Sequence, residues 1–346
     1  MKNLLSAQNI LSQNAEVEAD CLSSYIYPAK AKKINYIFKI LLTNCCYYNC
    51  GYCFNNVKSN CPRFILKPLQ LAKLFMNLYK KNKVEGIFLS SGIYKKEDYS
   101  QEKILETVIL LRKKLGYKGY IHAKILPNAS LYLIKELFHY VDRLSVNLEF
   151  PAQKYLRKVS HKKSFSDLFA RLKYLSALNR SLSLSKGITT QFVVGALGES
   201  DREILSVTER LYRLLKLKRV YYSCFLPFPN IPLSSVSPVD NLRVRRLYEA
   251  DFLIRDYGFV SSEFLYDEYG NLLRNMDVKT ASAFKNSHLF PININKARFD
   301  ELIRIPTIGK KTAYQIIKLR KEAKINSFQK LVKIGINKEA RRWICY

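Results

Sequence analysis

Asn44-Cys45-Cys46-Tyr47-Tyr48-Asn49-Cys50-Gly51-Tyr52-Cys53 holds four of the chain's eight cysteines within nine residues. Cys46, Cys50 and Cys53 stand in the spacing C-x3-C-x2-C. Three thiolates on one short loop can close around a small inorganic body, and soft thiolates select zinc, copper(I) or an iron–sulfur cluster. Their number matters. A structural zinc site takes four protein ligands and is closed, whereas three thiolates on a [4Fe–4S] cluster leave one iron open. A zinc knuckle would need Cys45, Cys61 or a histidine as fourth ligand, and no second C-x2-C pair or H-x3-H partner accompanies the loop.

Upstream of the loop lies an apolar run at 36–42, and five more follow at 86–90, 119–125, 143–148, 188–194 and 218–225. Segments with helical periodicity separate them, at 67–81, 100–115, 130–140, 164–178 and 201–216. Strands alternating with helices predict βαβ units on a parallel sheet. Pattern alone predicts a doubly wound sheet, since six strands are too few for a closed eight-stranded barrel. In either architecture the working face lies at the carboxyl ends of the strands. Those ends carry Ser90-Ser91-Gly92, then His122 and Lys124 on one face, then Asn147-Leu-Glu149 and Gly195-Ala-Leu-Gly198-Glu199. Each has an ordinary reading too: a plain turn, a rim lysine, a turn acid, and a capping box from Ser200 to Glu203.

The triple-cysteine loop after the first strand, with the aromatic Tyr52 before its last cysteine, resembles the radical SAM signature. That resemblance implies an α/β fold, the partial (βα)6 TIM-like barrel, with a [4Fe–4S] cluster on Cys46, Cys50 and Cys53. S-adenosylmethionine would occupy the open iron and be cleaved reductively to a 5′-deoxyadenosyl radical that abstracts hydrogen from a substrate. It further implies cofactor contacts from Tyr52, Ser90, Ser91 and Gly92, the last three beside the methionine amino group. Lys124 would neutralise a carboxylate or phosphate, Glu149 would meet a ribose hydroxyl, and Gly195 and Glu199 would lie beside the adenine.

The formal net charge is +30, a field that suits a polyanion or an anionic surface. Uniform Lys-rich composition would spread that charge evenly. Residues 296–346 instead carry 14 Lys+Arg against 4 Asp+Glu, a third of the net charge on a seventh of the chain. Within them, Ile305-Pro306-Thr307-Ile308-Gly309-Lys310-Lys311-Thr312-Ala313 resembles a helix-hairpin-helix motif, with a weaker echo at Ile334-Gly335-Ile336. Backbone N–H groups opening the second helix would bind phosphate, with Lys310 and Lys311 adding charge. Ile308, Gly309, Lys310, Lys311, Thr312 and Gly335 are thus the candidate nucleic-acid contacts; the alternative is a small helical docking domain.

The sequence divides into a polar, partly helical lead-in over 1–33, a barrel core over 34–226, a linker and accessory region over 227–290, and an all-α nucleic-acid module over 291–346. The 3.6-period stretch of the accessory region, 242–257, predicts a helix with Leu242, Leu247, Ala250 and Ile254 inward and Arg243, Arg245 and Arg246 outside. No signal-peptide pattern or 18-residue apolar run occurs, and clustered cysteines suit a reducing compartment, so a cytoplasmic location without membrane contact is expected. Taken together, Phe88-Leu-Ser-Ser-Gly-Ile93, Gly119-Tyr-Ile-His122, Arg143-Leu-Ser-Val-Asn147 and the tail are similar to a radical SAM family assigned to DNA modification or repair, often linked to a uracil-DNA glycosylase. The resemblance implies nucleic acid, DNA before RNA, as substrate, a glycosylase-like partner, and an electron donor such as flavodoxin or ferredoxin. A nucleic-acid-binding protein with a structural or redox-sensing cluster is the competing class.

Overall fold

The computed structural model describes residues 25–31 and 34–346. Most of the expected lead-in lies outside the described residues. Where it is described, a strand stands in place of a partly helical segment: β1 (Ile26–Ala31) pairs antiparallel with β2 (Ile34–Leu41), Ile26 opposite Phe38 and Tyr27 opposite Ile37. Two consecutive apolar residues give β1 something to lay on the sheet edge, a short-range signal too small to outweigh its polar surroundings.

From β2 onward the expectation holds closely. β3 (Gly86–Ser90), β4 (Tyr120–Lys124), β5 (Arg143–Ser145), β6 (Ile188–Val194) and β7 (Arg219–Cys224) add in chain order, every pair parallel. The sheet curls into a half-barrel. Between strands run α1 (Pro68–Lys80), α2 (Glu97–Ile109), α3 (Leu131–Phe138), α4 (Gln153–Val159), α5 (Phe165–Leu182) and α6 (Asp201–Leu215). Helix α4 was not expected; at seven residues it is too short for a clear 3.6-residue period. β5 stops three residues sooner than its sequence suggests, because Glu149 takes φ +66 and pairing resumes only as a single bridge to Phe192.

Side-chain alternation divides the sheet. One face carries Phe38, Ile40, Ile87, Leu89, Ile121, Ala123, Leu144 and Val220, all buried, as helices covering a parallel sheet require. The other face lines the hollow and carries every Lys, Arg and His of strands β2–β7.

Two compact units divide the chain: residues up to Leu197 with Leu215–Pro238, and Gly198–Leu214 with Val239–Tyr346. The first thus keeps the proline-rich stretch at 227–238, and the second takes most of α6, which the periodicity groups with the barrel. The reason is a buried polar network inside the second unit. The Asp201 carboxylate accepts from the Arg243 Nε at 2.8 Å and from the Leu272 N–H at 3.0 Å, while Glu209 accepts from Ser261. Arg243 therefore points inward on α7 (Asn241–Tyr257), correcting the expectation that it lies outside the stripe. Gly258 ends α7 at φ +71, the left-handed position that favours glycine.

Further along the second unit come α8 (Val278–Lys285), β8 (Ile292–Asn293), α9 (Phe299–Leu302), α10 (Lys310–Glu322), α11 (Phe328–Val332) and β9 (Ile344–Cys345), which pairs with β8. Ile294, Leu302, Ile305, Ile308, Ile316, Leu331 and Ala340 make its core. No helix among the described residues is long and apolar enough to cross a membrane.

Candidate active site

The cysteine loop leaves β2 and is held by a neighbour the spacing does not reveal. Arg63 spreads its guanidinium over the carbonyls of Asn44 (2.7 Å), Asn55 (3.1 Å), Asn56 (2.5 Å) and Ser59 (2.9 Å). Five fixed donors in a planar fork suit such a staple. Gly51 donates to Val159, Tyr47 to Ile93, and Asn56 Nδ2 to the Cys50 carbonyl. Tyr47 and Tyr48 both donate to Glu97 Oε1, at 2.5 and 2.7 Å. Gly92 is small for the same loop: a Cβ there would lie 2.6 Å from the Cys45 carbonyl oxygen. The close approach expected at Ser90-Ser91-Gly92 is thus made by the chain's own backbone.

One cavity is lined by Cys46, Cys50 and Cys53 together with Tyr52, Ser90, Ser91, Gly92, Lys124 and Glu149. Nine of the residues singled out from sequence therefore share a wall. Gly195 and Glu199 do not line it. Gly195 turns the chain at φ +86 after β6, and Glu199 is buried with its carbonyl accepting from Arg243. Ser200 and Glu203 form the capping box instead.

Lys163 is the residue that sequence reading missed. Its ammonium donates to Glu149 Oε1 at 2.8 Å and to the Tyr52 hydroxyl at 2.7 Å, and it lines the same cavity. It sits between α4 and α5 with no motif around it, so only the fold brings it beside residues over a hundred positions away. Burial opposes its charge, yet Cys50, Glu149 and Tyr52 outweigh it and hold the ammonium well above its usual range. Burial likewise disfavours the Glu149 carboxylate, but Lys163 and Lys124 keep it below the usual value. The left-handed backbone at Glu149 is uncommon for a side-chain-bearing residue and is the kind of strain that clusters at functional sites. Lys124 donates to Asn147 Oδ1 at 2.5 Å, and burial lowers its ammonium to about 8.

The donor set fits an iron–sulfur body. Burial and the neighbouring Cys50 raise Cys53 to about 12 and Cys46 in the same direction, so these two thiols need a cationic centre beside them to act as thiolate ligands. Among the described residues no three His, Cys, Asp or Glu groups converge on a single metal ion. Cys45, the nearest candidate for a fourth ligand, donates instead to the Phe64 carbonyl at 3.7 Å and does not line the cavity.

In the second unit, α9, the turn at Thr307 and α10 form a helical hairpin. Thr307 stands at φ +69, the left-handed conformation that a glycine takes without strain. Ile308 is fully buried, Gly309 opens α10, and Lys310 and Lys311 are exposed while Thr312 is half-buried. The Ile308 carbonyl accepts from Lys279 Nζ at 2.5 Å, and burial lowers that ammonium to about 7. Gly335, at φ +84, turns a second hairpin between α11 and the 3₁₀ turn Lys338–Trp343.

Residues 40–211 match the Radical SAM superfamily, and residues 290–340 match the helix-hairpin-helix motif. The fold is similar to crystal structures of methylornithine synthase (13% identity, TM-score 0.52, covering 72% of each chain) and of the FeFe-hydrogenase maturase HydG from Carboxydothermus hydrogenoformans. The latter is 16% identical at TM-score 0.50, over 63% of this chain, which spans about half (51%) of the maturase. No curated protein matches the chain. Domains of this superfamily bind a [4Fe–4S] cluster and S-adenosylmethionine. Cysteine loop, half-barrel and hairpin thus agree with the two matches: this chain carries a radical SAM superfamily domain over residues 40–211 and a helix-hairpin-helix motif over residues 290–340.

Proposed function

We propose that the protein is a radical SAM enzyme that acts on nucleic acid, DNA in the first instance, in a modification or repair reaction. The observation that carries the reading is the wall with three cysteines and, among the described residues, no fourth. Cys46, Cys50 and Cys53 would hold a [4Fe–4S] cluster and leave one iron for S-adenosylmethionine. When bound, the pair supplies one-electron chemistry able to abstract hydrogen from an unactivated carbon. The chain's own residues position and neutralise. Lys124, half-buried and cationic, suits the cofactor carboxylate; Glu149, held ionised by Lys163, suits a ribose hydroxyl; Ser90, Ser91 and Gly92 suit the methionine amino end.

Lys310, Lys311 and the N-terminal turn of α10, with Ile308, Gly309, Thr312 and the second turn at Gly335, would bind phosphates without reading bases. A base inside duplex would have to be extruded to reach a pocketed radical. A flavodoxin or ferredoxin would supply the electron, a glycosylase-like protein would act on the same DNA, and the setting would be the cytoplasm.

The test is anaerobic. The full chain, reconstituted with iron and sulfide and reduced, is given S-adenosylmethionine with duplex DNA, single-stranded DNA or RNA, and 5′-deoxyadenosine is measured. The expected result is production that rises with DNA and vanishes in Cys46→Ala. A cluster that assembles but never cleaves the cofactor would favour a structural or sensing role. Stimulation by RNA alone would redirect the substrate.

A further inference from the structure

Every Lys, Arg and His of the parallel strands β2–β7 is on the face that lines the hollow: Lys39, His122, Lys124, Arg143 and Arg219. No Asp or Glu occurs in those strands. The register sets the cations in rows. Lys39 pairs with Phe88, Phe88 with His122, and His122 with Arg143, forming one continuous cross-strand row. Lys124, Ser145, Thr189 and Arg219 form the next row toward the cysteine loop. Lys124 lines the cofactor cavity, so the Lys39–Arg143 row lies about 7 Å beneath that wall, two residues along each strand.

The lower row is framed by rings. Phe88 stacks on His122 with centroids 4.2 Å apart, Lys39 Nζ lies 5.6 Å from the Phe88 ring, and the Arg143 guanidinium lies 5.9 Å from the Tyr120 ring. An Arg143 N–H reaches the Tyr221 hydroxyl at 3.4 Å, and the His122 Nε2 meets Ser145 Oγ at 2.9 Å. His122 is held well below its usual range by burial and then by Arg143, Lys124 and Lys39, so three positive charges bear on one imidazole. Like charges set in one hollow repel, and an anion relieves them.

We propose that the row Lys39–His122–Arg143 is a substrate subsite that takes a backbone phosphate of a nucleotide held in the hollow, with Phe88, Tyr120 and Tyr221 bordering the base and sugar. The inference rests on the nucleic-acid reading above and adds the part of the substrate that is gripped and the residues that grip it. Aromatic rings among cations distinguish this from a pocket for a bare carboxylic acid, because bases stack on such rings whatever their sequence. Lys39 is exposed, with its ammonium over the Tyr27 and Phe88 rings at 5.2 and 5.6 Å, and Arg143 offers the planar fork that suits phosphate.

The probe is thymidylyl-(3′→5′)-thymidine, a dinucleotide with one non-titrating phosphodiester charge, compared with its uncharged methylphosphonate analogue. Calorimetry on the reconstituted full chain should find the charged dinucleotide about tenfold or more tighter, as expected for one charge-assisted phosphate contact. That gap should collapse in Lys39→Ala and Arg143→Gln and survive in the hairpin variant Lys310→Ala/Lys311→Ala. Binding should be accompanied by proton uptake, lost in His122→Asn. Equal affinity for the two dinucleotides, a gap that survives both hollow variants, equal competition by a dicarboxylate, or no binding at millimolar probe would overturn the subsite. Each of those results leaves the wider reading standing if DNA still stimulates 5′-deoxyadenosine formation; absent stimulation and absent DNA binding would remove that reading instead.

Discussion

Removing Lys163 tests whether the pair it makes with Glu149 organises the cavity. Both side chains are about nine-tenths buried, and the contact is 2.8 Å. Lys163→Met leaves the Glu149 carboxylate with Asn147 Nδ2 at 3.4 Å, the Tyr52 hydroxyl and the more distant charge of Lys124. Breaking a buried pair in this way costs about 3–5 kcal/mol. Protonation sets a ceiling: forcing a carboxyl of ordinary pKa ~4.3 to bind a proton at pH 7 costs about 3.7 kcal/mol. A loss of about 3 kcal/mol at pH 7 is therefore expected, read by urea unfolding with far-ultraviolet circular dichroism. Glu149→Gln and the double variant complete a cycle. The double variant should be less destabilised than the sum of the singles by about 2 kcal/mol.

The pH dependence has a definite sign. In the native chain Glu149 has a lowered folded pKa, so its contribution is present above the ordinary carboxylate range and is lost as pH falls through the folded value. In Lys163→Met the folded pKa moves above the ordinary one, and the destabilisation grows as pH rises from 4.3. At pH 5 protonation costs only about 1 kcal/mol, so the variant should recover most of its loss there. Strict additivity in the cycle, or an equal loss at pH 5 and 7, would refute the account.

Gly92→Ala places a Cβ 2.6 Å from the Cys45 carbonyl oxygen, and because the obstacle is backbone the cysteine loop must shift; the fold should persist by circular dichroism while iron incorporation falls several-fold. Cys45→Ser should retain iron and Cys53→Ser should lose it, measured as iron per chain, because only Cys53 lines the cavity. Lys310→Ala/Lys311→Ala should weaken duplex binding without changing base preference and lower the slope of log K against log salt by about two, measured by anisotropy titration. Lys279 has a folded pKa lowered to about 7 by burial, so the unfolded chain binds the extra proton between there and about 10.5. Stability of the second unit, followed by its single Trp343, should rise across that window, and Lys279→Met should flatten the rise.

How much could be read before the fold was known follows from the range of each interaction. The cluster loop is local: three cysteines within eight residues carry their own geometry, and Tyr52 and the apolar strand before them are near neighbours. Strands β2–β7 and five of their helices announce themselves because a parallel sheet covered by helices forces long apolar runs and 3.6-residue periods. Strand ends are legible through one topological rule, which is why Ser90, Lys124 and Glu149 were found by position alone. The Thr307 turn was also legible, because the Pro306–Gly309 punctuation fixes a hairpin even with threonine in a glycine's place.

Other features have no local signal. β1 and α4 are too short to show a period. Arg63 looks like any surface arginine until the loop folds back and offers it four carbonyls. Arg243 belongs to an apparently solvated basic face until Asp201, forty-two residues earlier, meets it in a buried ion pair. Glu199 gives its backbone carbonyl to Arg243, forty-four residues later, a contact that no local pattern shows. Lys163 and the Lys39–His122–Arg143 row depend on register between strands and on which loop covers their ends. Sequence by itself determined the donors, the alternation and the charge; tertiary structure decided which charges face one another, because Coulomb interactions depend on separation in space and burial, and neither is written in the order of residues.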